Sequence, residues 1–436
     1  MNRRRASGQL RDVVPLGVLF GVLYFVQGIA EPTEGLIAQP VRSLLASWGR
    51  SIEEIAAFSA LLAAPWWLKP LYGALTDHVP LLRLRRKSYL LLTTGAAAVF
   101  LGYLAVADVD ESASRLLFWC LLVPTLGVAF ADVVVDALMV ERGRPLGLTG
   151  SLQSVQWGAI YAGTLLAGWL GGRLSESRQQ QIGFGICAAA LAVSFLVCLF
   201  AVRERPTTAR PDLRSAAREL GHALRLPVVW STGAFLFLWN FNPFLTAILQ
   251  YHMTHRLAFS EAFYGDTLSL QAIGSIVASI AYPFYCRRFS FRALLHASIV
   301  LGIGSTIAYW LMVDETTAVL ISLVVGFTYM SATLVQLDLA ARACPLLSAG
   351  TVFALLMALS NLSLSLATWV GGTWYEQLEA TYGAVHGFNL LVAIGAGFTA
   401  GCWLVLPLVN RTLTAAEHAL GENHAVSGGS DAANSR

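Results

Sequence analysis

The sequence predicts an all-α membrane protein with twelve transmembrane helices in two six-helix bundles related by a parallel repeat. Three observations carry this reading. Of the 436 residues, 56% are hydrophobic and 13% charged, about half the charge of an ordinary soluble domain. Apolar runs of roughly 20 residues, long enough to cross a ~30 Å hydrocarbon core as a helix, recur along the chain. Finally, Arg142, Pro145, Leu146 and Gly150 recur as Arg342, Pro345, Leu346 and Gly350, and Leu166, Ala167, Trp169, Gly171 and Gly172 as Leu366, Ala367, Trp369, Gly371 and Gly372. Both sets lie 200 residues apart. A constant offset across a loop and the following helix is the mark of a duplicated unit. An even number of helices per unit gives both copies the same orientation.

The first expected span, 14–37, follows a short basic segment holding Arg3, Arg4, Arg5 and Arg11. No small-residue cleavage site follows its apolar run, which predicts an uncleaved helix with a cytoplasmic basic anchor. The second span, 54–75, runs into P-W-W-L-K-P-L-Y-G-A-L-T-D, and a short loop with a basic cluster joins it to the third, 88–107. The fourth, 115–139, carries acids; the fifth, 150–173, opens with amides; the sixth covers 182–202. Residues 203–226 form the longest loop and divide the spans six and six. From Asp212 to Arg225, Leu213, Ala216, Ala217, Leu220 and Leu224 share one face, consistent with a helix lying along the inner leaflet or with a solvated linker. The second half reads as 227–251, 261–284, 292–313, 317–341, 349–374 and 384–409. The expected organisation is therefore an N-terminal segment 1–13, bundles 14–202 and 227–409 around the linker, and a Gly/Ser-rich tail 410–436 expected to be disordered.

Charge placement sets the expected orientation. With both termini in the cytoplasm, the inner side holds the N-terminal arginines, the Arg83–Lys87 cluster, Arg142, Arg144, the linker arginines, Arg287, Arg288, Arg292, Arg342 and Arg411. The outer side holds only Arg42, Arg50, Arg115, Arg173, Arg178 and Arg256. This is the positive-inside pattern, and the expected location is a bacterial inner membrane. Cys120, Cys187, Cys198, Cys286, Cys344 and Cys402 lie in or at the ends of spans without C-x-x-C spacing, which reads as packing rather than disulfides or zinc.

Several polar residues within the spans are functional candidates. Asp132 and Asp136, four residues apart, share one helix face. Ionised acids are costly in lipid, so the pair should face a cavity or partner. Proton coupling and a static pair tied to Lys69 or to the basic cluster at the cytoplasmic end both fit. Asp338 is a third coupling candidate, with pairing to Arg342 one turn away as the alternative. Asp266 reads as either functional or near the outer surface. Gln27, Gln156 and Trp157 are candidate substrate contacts, although amides also serve as interhelical glue; Glu31 is read as facing an outer vestibule or simply exposed. Asp77 with Arg85 and Arg86, and Glu141 with Arg142 as partners, forms a candidate gate at the cytoplasmic ends. The alternative is a basic cluster that only anchors topology. His252 and His255 form an isolated H-x-x-H, a weak metal signal, so no metal or cofactor is expected. No H-E-x-x-H, Walker A or G-x-S-x-G pattern is present, which argues against an enzyme.

The loop after the second span, with its acid and basic cluster, resembles the signature loop of major facilitator transporters. More specifically, the chain resembles the folate–biopterin transporter family of that superfamily. The resembling pieces are Y-F-V-Q-G at 24–28, P-W-W-L-K-P-L-Y-G-A-L-T-D at 65–77, R-R-K-S-Y at 85–89, D-V-V-V-D-A-L-M-V-E-R at 132–142, G-S-L-Q-S-V-Q-W-G at 150–158 and G-T-V-F-A-L-L-M-A-L-S-N at 350–361. The resemblance implies a secondary carrier of folates, pterins or related compounds with proton coupling. It carries over Lys69, Asp77, Arg86, Asp132, Asp136, Glu141 and Arg142. Trp67 and E-P-T-E at 31–34 depart from the expected pattern and point to an altered outer cavity. Folate chemistry would use cations for the glutamate carboxylates and aromatic or amide groups for the pterin, and Lys69, Trp66, Trp157, Gln27 and Gln156 supply these types. The expected partners are a small folate- or pterin-like molecule, protons and the bilayer, with no nucleic acid, and the expected state is a monomer. The rivals are a muropeptide or other organic-anion permease and a transporter-derived sensor. A sensor would carry a signalling domain of its own.

Overall fold

The protein is described by a computed structural model covering residues 2–207, 213–344 and 349–433. Pro345 and Leu346 of the repeat and Asp212 of the linker lie outside the described residues.

The described chain is almost wholly helical. In the first half, α1 is Asn2–Ala30, α2 Ala38–Ser47, α3 Ile52–Leu62, α4 Lys69–His78, α5 Lys87–Val106, α6 Ser114–Gly143, α7 Thr149–Glu176 and α8 Gln180–Ala201. The linker holds α9, Leu213–Ala223. In the second half, α10 is Pro227–Asn240, α11 Ala247–Tyr251, α12 Glu261–Tyr285, α13 Phe291–Ile307, α14 Glu315–Arg342, α15 Ala349–Tyr382 and α16 Ala384–Ala433. The tail expected to be disordered from 410 is thus helical as far as Ala433, and the segment expected only as an anchor is helical from Asn2. The surface helix expected in the linker is present and lies against α4 and α15.

Among the described residues, eight helices are long and apolar enough to span a membrane: α5, α6, α8 and α12 to α16. The other four expected spans are there in altered form. The first is broken: α1 stops at Ala30 and the chain re-enters a helix at Ala38. Pro32 offers no N–H to continue the ladder, and the turn closes through Gly35 N–H to Glu31 O at 2.8 Å and Leu36 N–H to Ile29 O at 2.8 Å. Only glycine fits at 35, because a Cβ there would lie 2.5 Å from Glu31 O. The second span passes through a 3-10 turn, Ala64–Leu68, at Pro65. The seventh breaks after Asn240, resumes at Ala247 and ends in a π-turn, His252–Arg256. The fifth, α7, is continuous, but Gln153, Ser154 and Gln156 and its glycines make it too polar to be scored by apolarity alone.

The repeat is visible in the packing. On α7, a Cβ at Gly171 would lie 2.8 Å from the carbonyl of Leu36, at the break in the first span. On α15, Gly371 abuts the carbonyl of Pro243, at the break in the seventh. The second glycine of each pair faces the opposite half. A Cβ at Gly172 would lie 2.9 Å from Glu261 O of α12, and one at Gly372 would lie 3.0 Å from Glu53 Cα of α3. Each glycine pair thus seats its own half's broken helix and the other half's neighbouring helix. Small residues serve this purpose in lipid, where helices associate by close van der Waals contact.

The halves join most tightly at the end remote from the Arg83–Lys87 cluster. There Gln39 Nε2 donates to Glu261 Oε2 at 2.7 Å, Arg42 Nε to Gln250 Oε1 at 2.6 Å, Thr373 Oγ1 to Glu53 Oε1 at 2.9 Å, and Arg173 pairs with Asp266 at 2.7 Å. Toward the basic end the packing loosens: Gln153 and Ser154 of α7 are exposed, and the Cβ positions of Gly150, Gly158 and Gly350 have no neighbour within 4 Å.

This gradient along α7 predicts opposite outcomes for one substitution at two places. Gly172→Ala meets unyielding backbone and should destabilise the closed end by about 1–3 kcal/mol. Spin labels replacing Ser177 and Glu315 should then report a longer distance and the melting temperature should fall. Gly158→Ala fills open space and should stabilise by about 0.5–1 kcal/mol, with the label distance unchanged.

Candidate functional site

The site is built where α1, α4 and α7 converge on α6. The four-residue spacing places Asp132 and Asp136 on one face of α6. Asp132 is buried; it pairs with Lys69 Nζ at 2.7 Å and accepts from Gln27 Nε2 at 2.7 Å. Asp136 accepts from Tyr24 O–H at 2.5 Å and from Gln156 Nε2 at 3.0 Å. Tyr24 and Gln27 lie one turn apart on α1, so a single helix face serves both acids. Lys69 starts α4 directly after the 3-10 turn, with its ammonium 4.6 Å from the centre of the Trp66 ring. One acid therefore holds a cation, and the other is held by neutral donors.

Beside this cluster, at the junction of the halves, lies a cavity of about 260 Å³. Gln27, Glu31, Glu34, Arg42 and Trp66 line it from the first half, and Thr246, Asn361, Ser365 and Thr368 from the second. Its roof is the break in the first span. Glu31 is fully engaged there: its carboxylate accepts from Thr33 N–H at 2.9 Å, Thr33 Oγ1 at 2.7 Å, Glu34 N–H at 2.6 Å and Trp66 Nε1 at 3.2 Å. It satisfies the backbone that the break frees. Arg42 is buried, with Gln250 as its closest partner.

The structure brings some sequence candidates together and separates others. Gln27, Trp66 and Lys69 meet at the cavity wall and the Asp132 bridge. Gln156 turns to Asp136 rather than to the cavity. Trp157 is not among the cavity-lining residues, and its ring lies against Tyr161 at 6.0 Å between centroids. Asp338 pairs with Arg342 at 3.2 Å, the alternative offered by their spacing. Asp266 pairs with Arg173 across the halves. His252 is buried and stacks on Phe388 at 3.9 Å, whereas His255 is exposed against Tyr251. Among the described residues, no group of three His, Cys, Asp or Glu side chains is arranged for a metal.

At the basic end, Arg86 is the hub. It donates to Thr76 Oγ1 at 2.7 Å, to Asp77 Oδ1 at 2.5 Å and to Glu141 Oε1 at 2.7 Å. Burial alone would pull its pKa down, but the carboxylates of Asp77 and Glu141 outweigh that and hold the guanidinium above its ordinary value. Arg85 is exposed, and Arg142 donates to Arg203 O at 2.8 Å. The side-chain contacts of Arg86 all fall within the first half.

Sequence reasoning missed four participants. Tyr24 gave no signal of its own inside an apolar run. Arg42 reads as a loop cation when the first span ends at 37. Glu34 was seen only as part of a departure from the family pattern. Glu204 read as linker, yet its carboxylate accepts the backbone N–H groups of Arg85 at 2.7 Å, Arg86 at 3.0 Å and Lys87 at 2.9 Å, capping α5. A carboxylate in a loop facing a predicted helix start would have been the signal.

A family model described as the BT1 family matches residues 27–421. A folate-biopterin transporter of Synechocystis is 29% identical over 399 residues, covering 85% of this chain and 77% of that protein. A probable folate-biopterin transporter of Arabidopsis thaliana is 24% identical, covering 88% of this chain and 94% of that one. Crystal structures of the nucleoside transporter NupG and of a D-xylose-proton symporter each superpose with a TM-score of 0.69 at 15% and 15% identity, covering 90% of this chain and 99% and 97% of theirs. At that identity the likeness shows the fold, the major facilitator architecture of two six-helix bundles. The match over most of its length places this multi-pass membrane chain in the BT1 family.

Proposed function

We propose that this protein is a secondary active transporter that moves a folate, a pterin or a related organic anion by alternating access, coupled to protons. The names of its relatives support the substrate class, and the Lys69–Asp132 bridge, which adjoins the cavity through the lining residues Gln27 and Trp66, is the observation that carries the mechanism. The positive-inside pattern supports a cytoplasmic side for the basic end and both termini, and in this reading the membrane is an inner one. The chain then acts as a monomer closed on its outer side, without catalysis. Protonating Asp132 removes its charge and frees Lys69, which already lies over Trp66, to take an anionic group of the substrate. Release of substrate and proton lets the bridge re-form. Asp136 sits one turn further along α6, held only by neutral donors, so taking up a proton there breaks no ion pair. It serves as the relay between Asp132 and the basic end. Asp338, tied to Arg342 at that end, has no part in this path.

The test is uptake of labelled folate and pterin into proteoliposomes with and without an inward proton gradient. Wild type should respond to the gradient. Asp132→Asn should lose that response but retain exchange of internal for external substrate, because Lys69 is then permanently free. Uptake that ignores the gradient in wild type removes the coupling. Absence of uptake of both compounds by folded protein redirects the substrate to another organic anion, such as a muropeptide.

In the gate, Arg86→Ala leaves Asp77 and Glu141 adjacent without a cation and should lower the transport rate while leaving substrate binding intact. The loss of charge-assisted hydrogen bonds should cost about 1–3 kcal/mol of stability. Arg86→Lys should restore only part of the rate, because an ammonium cannot reproduce the planar fork. Melting curves and a comparison of Kd with uptake rate check both statements.

A further inference from the structure

One group in the cavity is unaccounted for by the coupling path. Glu34 reaches into the cavity from the broken segment of the first span. Its neighbour Glu31 is saturated by four donors, Lys69 is held by Asp132, and Arg42 donates to the neutral amide of Gln250 while its charge acts on Glu34 without a hydrogen bond. Glu34 is exposed to the cavity, and its carboxylate takes part in none of the side-chain hydrogen bonds or ion pairs found among the described residues. A carboxylate at membrane depth that no side-chain hydrogen bond answers is a functional group by default. With Glu31, Glu34 and Arg42 on the lining, the cavity carries more acid than base. It therefore suits a neutral, donor-bearing group better than a carboxylate tail. Its volume of about 260 Å³ lies just below the roughly 300–1,000 Å³ of drug-sized pockets. That is room for a bicyclic ring rather than for a whole conjugate.

Resting on the substrate class proposed above, we infer that Glu34 is the specificity-determining acceptor for the donor edge of a 2-amino-4-oxo-pteridine ring. In that ring N3–H and the 2-amino N–H point the same way at the spacing of two carboxylate oxygens, so the pair forms two parallel charge-assisted hydrogen bonds. Trp66 supplies a face for the ring. The amides of Gln27 and Asn361 and the hydroxyls of Ser365 and Thr368 can meet its remaining acceptors. The ring enters first, and any anionic tail trails past Lys69 toward the basic end. Glu34 comes from E-P-T-E, so the segment that departs from the family pattern becomes the one that reads the ring.

The experiment measures displacement of labelled pterin from the purified full-length protein by three competitors: unlabelled pterin, pteridine-2,4-dione and 3-methylpterin. Wild type should prefer pterin over the other two by roughly 10–100-fold, the worth of hydrogen bonds to a charged group. Glu34→Gln should bring the pterin-to-dione ratio to within about threefold, and Glu34→Asp should keep most of it. Unchanged discrimination in a monodisperse Glu34→Gln protein overturns the assignment. So does a wild type that binds pterin, dione and 3-methylpterin equally, a result that needs no variant and leaves the substrate class standing. Failure of wild type to bind any pteridine overturns the substrate class and the assignment with it.

Discussion

Hydrocarbon offers no hydrogen bonds, so a charged group kept at membrane depth is costly unless another group of the protein answers it or it faces a cavity. The two acids of α6 show how that condition is met. Four donors from three helices converge on them: Tyr24 and Gln27 from α1, Lys69 from α4 and Gln156 from α7. Removing one partner of a buried ion pair typically costs about 3–5 kcal/mol. The first, second, fourth and fifth spans are therefore bound into a single unit, not merely packed. The same rule shapes the helix breaks. Glu31 answers the N–H groups that Pro32 and the turn release, and the asparagine side chains at 240 and 242 answer backbone carbonyls at the break in the seventh span, Asn240 to Leu236 O at 2.8 Å and Asn242 to Trp239 O at 3.1 Å.

Breaks of this kind place irregular backbone where it lines a cavity, the one setting in which a membrane tolerates it. They also depend on the duplicated glycine pairs. Gly171 and Gly371 let α7 and α15 approach the broken backbone of their own half, while Gly172 and Gly372 bring the opposite half to the same level. Cavity roof and closed end are thus made by one sequence feature used twice. In the alternating access proposed above, the two halves part at Gly172 and Gly372 while each half keeps its own broken helix seated against Gly171 or Gly371.

Much of this was legible in the sequence. The spans, the six-and-six division and the parallel repeat followed from apolar length and constant offset. The Asp132–Lys69 pair and the Asp77–Arg86–Glu141 cluster followed from motif and spacing, and the Asp338–Arg342 pair from a four-residue step. The breaks were not legible as breaks. Apolar periodicity runs through Glu31 and Asn242 without marking whether a polar residue ends a span or interrupts it. Placing the end at 37 moved Arg42 into a loop, when α2 carries it back into the protein. Trp157 was drawn in by its nearness to Gln156, but adjacent residues on a helix point about 100° apart and do not share a face. Glu204 shows the opposite limit: its function depends on a long-range approach to α5 that local composition cannot encode.

The duplication is also where the halves part company in chemistry. At the repeat offset, Asp136 corresponds to Gln336 and Asp132 to Ala332. Gln336 is buried and accepts only a long contact from Asn240, at 3.4 Å. The charges that line or adjoin the cavity belong to the first half, and the second half contributes hydroxyls and amides: Thr246, Asn361, Ser365 and Thr368. This asymmetry suits the alternating access proposed above. An ion pair split between the halves at the cavity would have to be broken in lipid on every cycle. A neutral polar wall slides past at the cost of a few ordinary hydrogen bonds, each worth about 0.5–1.5 kcal/mol. The inter-half charge pair Arg173–Asp266 sits instead at the closed end, partly exposed, where water can replace each partner as the halves separate. The bonds that hold the two acids of α6 lie within one half, whereas those that join the halves divide between the partly exposed Arg173–Asp266 pair and the buried Arg42–Gln250 contact.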